Sequence, residues 1–332
     1  MELDSARELK SRVLESLIST APASEHVISS LGVSARSLKE VDHVQRGIAV
    51  GIQARKRGEY RLAVRIQRRS LEAGPHLESI RRMAREEVDI RYIGHVSKQA
   101  GTFFREPHRP LLIGTSIGHF SVTAGTLGCF VRRKDDGKMR ILSNNHVLAN
   151  ENRATQGDAI IQPGDYDGGS VSKNRVGSLD SYVTLRRTST NLVDCAIADL
   201  KRGVESDARK LHTVGRLAGL APDPEEYDLV EKLGRTTGHT LGRVSAFEVD
   251  DVTIEYDLGN LRFNGQIEIE GRDDGPFSLG GDSGSLIFTS GEHLAVGLLF
   301  AGSDQGGKNG KGLTYANPLA RVLRRLDCEL VT

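Results

Sequence analysis

Short apolar or alternating runs, broken by Gly, Asn and Asp, dominate the sequence from about residue 111 onward. One group includes VTAGTLGCFVRR, MRILSNNHVLA and NLVDCAIADL, and a second includes GRVSAFEV, VTIEYDL, SGSLIFTS and LAVGLLFAG. Many short strands with glycine-rich turns are typical of antiparallel barrels and sandwiches. A less regular stretch at about 202–228 separates the two groups. The pattern therefore predicts a mostly β fold with two antiparallel β-barrels.

The residues before this region predict helices and a few strands. Helical spacing of apolar residues over 3–18 predicts an amphipathic helix, and Pro75 suits the start of a second helix. Alternating runs on both sides of that second helix predict strands, which gives a small α+β domain. The predicted elements are strands over 47–55 and 60–68, a helix over 75–87, a strand over 88–96, a linker over 101–110 and a closing helix over 318–330.

These patterns divide the chain into four parts. The expected domains are an N-terminal helix with a connecting segment (1–44), the small α+β domain (45–105), a first barrel (111–215), and a second barrel with the C-terminal helix (225–328). A length of 332 residues is enough for this organisation and for a sizeable core.

Composition excludes some classes of function. The formal net charge is +1, so the strong basic excess of a typical nucleic-acid-binding protein is missing. The charged N-terminus lacks the apolar region of a signal peptide, and no apolar stretch is long enough to span a membrane. Cys129, Cys195 and Cys328 are far apart and lack metal-ligand spacing, so we interpret them as buried free thiols. We therefore expect a cytoplasmic protein that binds neither nucleic acid nor membrane.

Three residues in the two strand-rich regions suit nucleophilic catalysis. His146 lies in ILSNNHVLA, Asp194 in NLVDCAIADL and Ser283 in GGDSGS. A serine hydroxyl is a weak nucleophile unless an imidazole takes its proton, and a carboxylate must orient that imidazole. Among the nearby acids, which include Asp165, Asp180 and Asp199, only Asp194 lies within an apolar run, where an unpaired carboxylate would be costly.

The segments GGDSGS, SNNHVLA and VDCAIADL resemble the three signature segments of the trypsin/chymotrypsin-like serine peptidases, and they occur in the order of that family. The resemblance covers roughly residues 111–328. The AGTLGCFV segment and the charged N-terminus are most similar to the leaderless intracellular trypsin-like peptidases of bacteria and plants. The resemblance implies two chymotrypsin-like, six-stranded-type barrels with the active site between them.

The resemblance also implies a role for individual residues. Ser283 would be the nucleophile, His146 the general base and acid, and Asp194 the orienting carboxylate. The backbone N–H groups of Gly281 and Ser283 would form the oxyanion hole. The substrate-binding residues would be Phe277, Leu279, Phe300, Ala301 and Gly302.

In this scheme Phe300, Ala301 and Gly302 would pair with an extended peptide by strand addition. Phe277 falls near the base of the family's specificity pocket, with Leu279 and Thr314 nearby. These residues favour a shallow apolar pocket rather than one for Lys or Arg.

Two features depart from the family pattern. The sequence ahead of residue 111 has no activation site that would create a new N-terminus to pair with Asp282. Asp282 must therefore be solvated or find another partner, such as an arginine, and the active-site loop is either preformed or dependent on an allosteric partner. Ser285 also replaces the glycine or proline that is common after the Ser-Gly pair.

Other motifs are weaker. His119 and His239 are rival imidazoles, and His119 precedes the first strands of its group. GSDQGGKN over 302–309 approximates a phosphate-binding loop but ends in Asn309, and the residues that follow are not helix-like. QPGDYDGG over 162–169 has too few ligands for a calcium loop. No metal and no cofactor are expected.

The sequence therefore predicts a serine endopeptidase that acts on protein or peptide substrates. The alternative is a peptidase-fold module that binds peptides or serves as a scaffold, either without turnover or with turnover only when a partner activates it. The N-terminal region is expected to regulate the enzyme, through a regulatory protein partner or through homo-oligomer formation.

Overall fold

A computed structural model describes residues 1–19, 47–56, 58–67, 71, 74–85, 87–93, 103–222, 229–272 and 275–332. The connecting segment before residue 47, the start of the 101–110 linker and the C-terminal ends of the predicted strands 60–68 and 88–96 lie at least partly outside these residues. The helices are α1 (Leu3–Ser19), α2 (Pro75–Met83), α3 (Asn145–Leu148), α4 (Val171–Asn174) and α5 (Leu319–Leu326), with 3₁₀ turns at Phe103–Arg105 and Asp165–Asp167.

Strands make up most of the regular structure. The strands that precede residue 222 are β1 (Ile48–Lys56), β2 (Glu59–Ile66), β3 (Val88–Tyr92), β4 (Leu111–Leu112), β5 (Ser116–His119), β6 (Gly125–Thr126), β7 (Cys129–Arg133), β8 (Met139–Ser143), β9 (Ala159–Ile161), β10 (Arg175–Tyr182), β11 (Ala196–Leu200), β12 (Ser206–Asp207), β13 (Lys210–Leu211), β14 (Gly215–Arg216) and β15 (Gly219–Leu220). The later strands are β16 (Val230–Gly234), β17 (Gly238–Asp250), β18 (Val252–Tyr256), β19 (Gly259–Phe263), β20 (Gln266–Gly271), β21 (Leu286–Thr289), β22 (Leu294–Gly302), β23 (Leu313–Pro318) and β24 (Cys328–Leu330).

The first half of the fold is a curled sheet of eight strands in the order β24-β7-β8-β11-β10-β9-β5-β6. Its last strand in sequence, β24, returns from the C-terminus and pairs with β7, Cys328 opposite Arg133. The predicted helix over 318–330 therefore ends early, at Leu326. Asp327 has a φ of 50°, which ends α5 and lets the chain continue as a strand.

The second half is a closed barrel. Strands β16, β21, β22, β23, β20 and β17 pair in that order, and the pairing of β16 with β17 closes the ring of six. The predicted mostly β fold with two barrel-type halves is confirmed, with the difference that only the second half closes. Hydrophobic residues from both halves, including Leu142 and Leu298, belong to one buried cluster, so the two halves pack against each other.

The N-terminal strands extend the sheet of the closed barrel. Strand β1 pairs antiparallel with β17, and β2 and β3 follow at the sheet edge, β3 parallel to β2. Gly51 permits this approach, since a Cβ at this position would lie 2.7 Å from Cγ2 of Val249. Helices α1 and α2 contribute Val13 and Leu77 to a buried cluster with these strands. The predicted α+β unit of two strands, a helix and a strand is present, but its second helix ends at Met83 instead of continuing to 87, and Arg85 has a φ of 46°.

Strands β18 and β19 form a hairpin that belongs to neither sheet. This hairpin reaches toward the first half, where Asn191 forms an isolated bridge with Phe263. As expected, Cys129, Cys195 and Cys328 are buried free thiols. None of the helices in the residues described above combines the length and the apolar character needed to cross a membrane.

Candidate active site

His146 and Asp194 meet because two neighbouring strands bring their segments together. His146 lies in α3, which begins directly after β8, and Asp194 lies two residues before β11. Strands β8 and β11 are antiparallel, with Ser143 opposite Ala196. This register places the segment before β11 beside the start of α3, so the imidazole and the carboxylate share one buried corner of the first sheet.

The His146–Asp194 contact is short and buried. Nδ1 of His146 lies 2.5 Å from Oδ2 of Asp194, and Asp194 is fully buried. The backbone N–H groups of Asn145 and His146 donate to Oδ1 of Asp194 at 2.6 and 3.3 Å. These donors stabilise a carboxylate that would otherwise be costly to bury. This contact engages Nδ1 of His146, so Nε2 is the ring nitrogen that is left for proton transfer.

Tyr256 is a site residue that the sequence analysis missed. Its hydroxyl donates to Oδ2 of Asp194 at 2.7 Å, and its ring packs edge-on against the ring of His146 with centroids 5.7 Å apart. Burial raises the pKa of Tyr256 well above its ordinary value, and the Asp194 carboxylate raises it further, so the phenol stays protonated and serves as a donor. Tyr256 lies in VTIEYDL, a pattern that predicts a strand. Nothing in this pattern indicates that the strand contacts the first half of the fold.

Two asparagines hold the backbone of Asp194. The side-chain oxygen of Asn317 accepts a hydrogen bond from the N–H of Asp194 at 2.8 Å, and Nδ2 of Asn144 donates to its carbonyl at 2.8 Å. Asn317 lies on β23 of the closed barrel, while Asn144 precedes α3. The position of Asp194 is thus determined by both halves of the fold.

Ser283 lies in the turn before β21 and packs against the first half. Its carbonyl accepts a hydrogen bond from the N–H of Thr126 at 2.8 Å. Gly125 lies in a narrow gap between this segment and α3. A Cβ at this position would lie 2.4 Å from Cγ2 of Val147 and 3.0 Å from the carbonyl oxygen of Ser283, so the gap has no room for a larger residue. Among the described residues, no hydrogen bond joins Ser283 Oγ to the ring of His146. Such contacts are often long without substrate and tighten in the substrate complex.

The backbone around Gly281 suits an oxyanion hole. Gly281 has a φ of 97°, a conformation that other residues adopt only with strain. Its carbonyl accepts a hydrogen bond from Oγ1 of Thr126 at 2.7 Å, which fixes the orientation of this turn. Within the described part of the chain, neither the N–H of Gly281 nor that of Ser283 donates to another protein group.

Asp282 has another partner inside the chain, as expected, but this partner is a lysine instead of the suggested arginine, and the carboxylate is buried. Nζ of Lys232 lies 3.4 Å from Oδ2 of Asp282. The N–H groups of Thr236 and Leu279 donate to the carboxylate at 2.8 and 2.9 Å, and Oγ1 of Thr237 donates at 2.8 Å. These contacts hold the loop before Ser283 in place without a newly cleaved N-terminus.

An arginine instead fixes the loop that binds Asp282. Arg235 precedes Thr236 and forms a double hydrogen bond with Asp167, at 2.5 and 2.6 Å, from the first half of the fold. Both side chains are 2% exposed. Asp167 belongs to QPGDYDGG, so this segment supplies a carboxylate to a buried ion pair. Among the described residues, no cluster of His, Cys, Asp and Glu could hold a metal ion.

The predicted substrate-binding residues occupy two segments: Phe300, Ala301 and Gly302 lie on β22 of the closed barrel, while Phe277 and Leu279 lie between β20 and β21. Phe277 is 2% exposed and belongs to the barrel's hydrophobic cluster, and the N–H of Leu279 binds Asp282. Phe300 packs against Phe263 with ring centroids 4.7 Å apart. Ala301 and Gly302 pair with Tyr315 and Thr314 of β23. The substrate-binding roles of these five residues stay predictions.

The rival imidazoles have other carboxylate partners. Nε2 of His119 lies 3.1 Å from Oδ2 of Asp158, and Nε2 of His239 lies 2.5 Å from Oε2 of Glu231. The GSDQGGKN segment connects strands β22 and β23, so a strand follows it directly where a phosphate-binding loop would have a helix.

Known proteins resemble this chain in part of its sequence and in its fold. No protein-family model matches the sequence. Protein NARROW LEAF 1 of Oryza sativa subsp. japonica is 28% identical over 244 residues, or 63% of this chain, and the match spans 40% of the length of that relative.

The solved structures that resemble this fold include Thermobifida fusca protease A (17% identity, TM-score 0.45, covering 67% of this chain and 100% of that one). They also include Nocardiopsis protease (17% identity, TM-score 0.46, covering 67% and 98%) and a glutamic acid specific serine protease (19% identity, TM-score 0.46, covering 67% and 100%). In the segments that carry His146, Asp194 and Ser283, and in the architecture around them, the chain is similar to the trypsin/chymotrypsin-like serine peptidases.

Proposed function

We propose that this protein is a serine endopeptidase that hydrolyses peptide bonds through an acyl-enzyme on Ser283. The observation that carries the proposal is the 2.5 Å contact between His146 Nδ1 and the buried carboxylate of Asp194. This contact holds the imidazole in the tautomer that a general base needs, with Nε2 unprotonated. The preformed turn at Gly281, Asp282 and Ser283 supports the same function.

In the proposed reaction, Nε2 of His146 takes the proton of the Ser283 hydroxyl as Oγ attacks the substrate carbonyl carbon. The negative oxygen that forms accepts hydrogen bonds from the N–H groups of Gly281 and Ser283. His146 then gives its proton to the leaving amine as the C–N bond breaks. Water attacks the resulting ester by the same route and releases the carboxylic acid. Asp194 stays ionised and stabilises the imidazolium in both steps.

Substrate would bind as an extended strand along Phe300, Ala301 and Gly302. Strand β22 pairs with β23 on one side as far as Gly302, whereas its pairing with β21 on the other side ends at Leu298. The end of the β21 pairing before residue 300 supports peptide binding by strand addition on that side. We propose an apolar preference for the substrate side chain, with Phe277 and Leu279 close to the pocket.

Regulation by the N-terminal region is part of the proposal. Arg91 on β3 lies 3.2 Å from Glu270 on β20, and Glu270 also accepts a hydrogen bond from the N–H of Lys308 at 3.1 Å. Ile93 lies 3.0 Å from the position of a Cβ at Gly306. These contacts support coupling of the N-terminal strands to the 303–312 loop beside β22. A regulatory protein partner or a second copy of the chain would act through this connection.

We propose a cytoplasmic location as well, supported by the three buried free thiols. Fractionation of cells that express the full chain tests the location, and recovery of the protein outside the cytoplasm would contradict it.

A second candidate function is a peptide-binding or scaffold module with the same fold. The observation that favours it is the burial of the reacting groups, since Ser283 is 2% exposed and His146 is 7% exposed. In this alternative, turnover is absent or begins only when a partner opens the cleft.

Peptide cleavage by matched histidine variants tests the proposed enzyme. We expect His146→Ala to lose about 10⁴-fold or more in kcat/KM on a peptide library analysed by mass spectrometry, because the general base is gone. His119→Ala is the matched control, since it removes the imidazole of a different His–Asp pair, and it should keep its activity. Equal cleavage by wild type and His146→Ala would contradict the assignment.

A further inference from the structure

We propose that Tyr256 is a positioning residue of the active site, whose hydroxyl holds Oδ2 of Asp194 and thereby sets the basicity of His146. This inference rests on the proposed function. The hydroxyl of Tyr256 binds Asp194 and not Nε2 of His146 or Oγ of Ser283, so it would act through Asp194. The sequence motifs assign no role to this residue.

The hydrogen bonds of Asp194 carry the inference. An ionised carboxylate only accepts hydrogen bonds, and in a fully buried position each oxygen needs donors from the protein. Oδ1 receives the N–H groups of Asn145 and His146, while Oδ2 receives His146 Nδ1 and the hydroxyl of Tyr256. Tyr256 is the donor that shares an oxygen with the imidazole, so the two compete for the same negative charge.

Ring contacts and backbone hydrogen bonds hold the β18–β19 hairpin, and with it Tyr256, in place. Its ring stacks on Phe263, with centroids 6.0 Å apart, and Phe263 packs on Phe300 at 4.7 Å. At the tip of the hairpin, the N–H groups of Asp257 and Leu258 donate to the carboxylate of Glu151 at 3.2 and 3.0 Å.

At its other end, the N–H of Asn191 donates to the carbonyl of Arg262 at 2.8 Å. Glu151 follows α3 and Asn191 precedes Asp194, so the hairpin is attached to both catalytic segments. The aromatic stack also connects Asp194 to Phe300, which the proposed function places beside the substrate strand.

Loss of the Tyr256 hydroxyl should make His146 more basic. A phenol O–H withdraws negative charge from Oδ2 of Asp194, and its removal leaves a carboxylate that attracts the imidazolium more strongly. The protonated form of His146 is then favoured, and the pKa of His146 rises. In the described part of the chain, two further titratable groups near this pair are Glu151, which interacts with Tyr256, and Cys195, whose pKa burial raises so that it stays neutral.

Substitution of Tyr256 by phenylalanine tests the proposal in the full chain. An NMR titration of the imidazole signals, without substrate, should place the pKa of His146 about 0.5–1 unit higher in Tyr256→Phe than in wild type. Where wild type cleaves peptide, kcat should fall about 10-fold with KM little changed, and the acid limb of the pH profile should move in the same direction.

Tyr315→Phe is the matched control. Tyr315 is also fully buried, and its hydroxyl also donates to a carboxylate, but that carboxylate is Glu268, whose Oε2 lies at 3.2 Å, and not Asp194. This variant should leave the pKa of His146 and kcat unchanged. An equal change in both tyrosine variants would indicate a general packing effect and would overturn the proposal.

The titration separates this inference from the proposed function because it needs no turnover. A raised pKa of His146 in a protein that cleaves nothing would support the role of Tyr256 and contradict the peptidase. An unchanged pKa, or an unchanged kcat in an active enzyme, would overturn the role of Tyr256. If Tyr256→Phe does not fold, 3-fluorotyrosine incorporated at position 256 is a stronger donor and should lower the pKa of His146, and no shift would count against the proposal.

Discussion

Nζ of Lys232 lies 3.4 Å from Oδ2 of Asp282, and both side chains are fully buried. Lys232 also donates to Oγ1 of Thr237, which itself donates to the same carboxylate oxygen of Asp282. The lysine therefore provides the positive charge that holds the residue before Ser283. It does so from strand β16 of the closed barrel, so the turn before Ser283 is held by an internal side chain.

Replacement of Lys232 by methionine should destabilise the fold and disorder the turn before Ser283. We expect a loss of about 3 kcal/mol in the free energy of unfolding, because a buried carboxylate is left without its cation. Urea unfolding measures this loss. Lys308→Met is the control, since Lys308 is exposed and Glu270 keeps Arg91 and Arg243 as partners, so the loss should be less than about 1 kcal/mol. The double variant Lys232→Met/Asp282→Asn, which also removes the carboxylate charge, should be more stable than Lys232→Met. If it is not, the unpaired charge of Asp282 does not cause the loss of stability.

Gly125 should control the distance between His146 and Ser283. A methyl group at this position would meet Val147 on one side and the Ser283 carbonyl on the other. We expect Gly125→Ala to cost about 1–3 kcal/mol in stability and about 100-fold in kcat/KM, because displacement of the serine by about 1 Å impairs attack. Gly275→Ala, where a Cβ meets no atom within 4 Å, should be neutral in both measurements. Full activity of Gly125→Ala would show that Gly125 does not control the distance between His146 and Ser283 on which kcat/KM depends.

Arg65 should attach the N-terminal strands to the closed barrel. Its guanidinium forms hydrogen bonds of 2.6 and 2.8 Å with Glu268, and both residues are fully buried. We expect Arg65→Met to lose about 3–5 kcal/mol, because Glu268 stays buried without its partner. Hydrogen exchange of the β2 amides should accelerate more than that of β8. Arg216→Met, at an exposed pair, is the control, and unchanged exchange in β2 would contradict the coupling.

The thiols should be unreactive in the folded protein. Burial raises the pKa of Cys328 to about 11, and burial also raises the pKa values of Cys129 and Cys195. Because the thiol pKa values are higher in the folded state, folding favours the neutral thiols. Their contribution to the free energy of unfolding is complete below the unfolded pKa of about 8.5, and it is lost as pH rises through the folded pKa values. Iodoacetamide at about pH 9 should label the thiols slowly without urea and rapidly with it. Fast labelling of the folded protein would contradict this burial.

Local patterns were sufficient to predict most of the strand-rich fold and the three segments of the site. The alternation of residues around β7, β8 and β11 reveals strands, and the position of Asp194 in an apolar run distinguishes it from nearby acids. The roles of Lys232 and Tyr256 depend instead on pairing between distant strands. A lysine in a strand and a tyrosine in a hairpin look the same in sequence whether they face solvent or a buried carboxylate.

The extension of the closed barrel by β1 was not predictable for a similar reason. The runs that form β1 and β17 are both recognisable as strands, but their pairing joins residues about 200 positions apart, as in Val50 and Asp250. Gly51 is the only local signal of a close approach in this strand, and a glycine in a strand also suits a bulge.

Labelling of Ser283 by a serine-directed fluorophosphonate tests the central claim most directly, with the adduct located by peptide mass spectrometry. The account predicts one adduct on Ser283 in the wild-type chain, none in Ser283→Ala, and labelling slowed about 100-fold or more in His146→Ala, where no base activates the hydroxyl. An unlabelled Ser283 in the folded wild-type protein, or equal labelling in His146→Ala, would contradict the activation of this serine by His146 and Asp194.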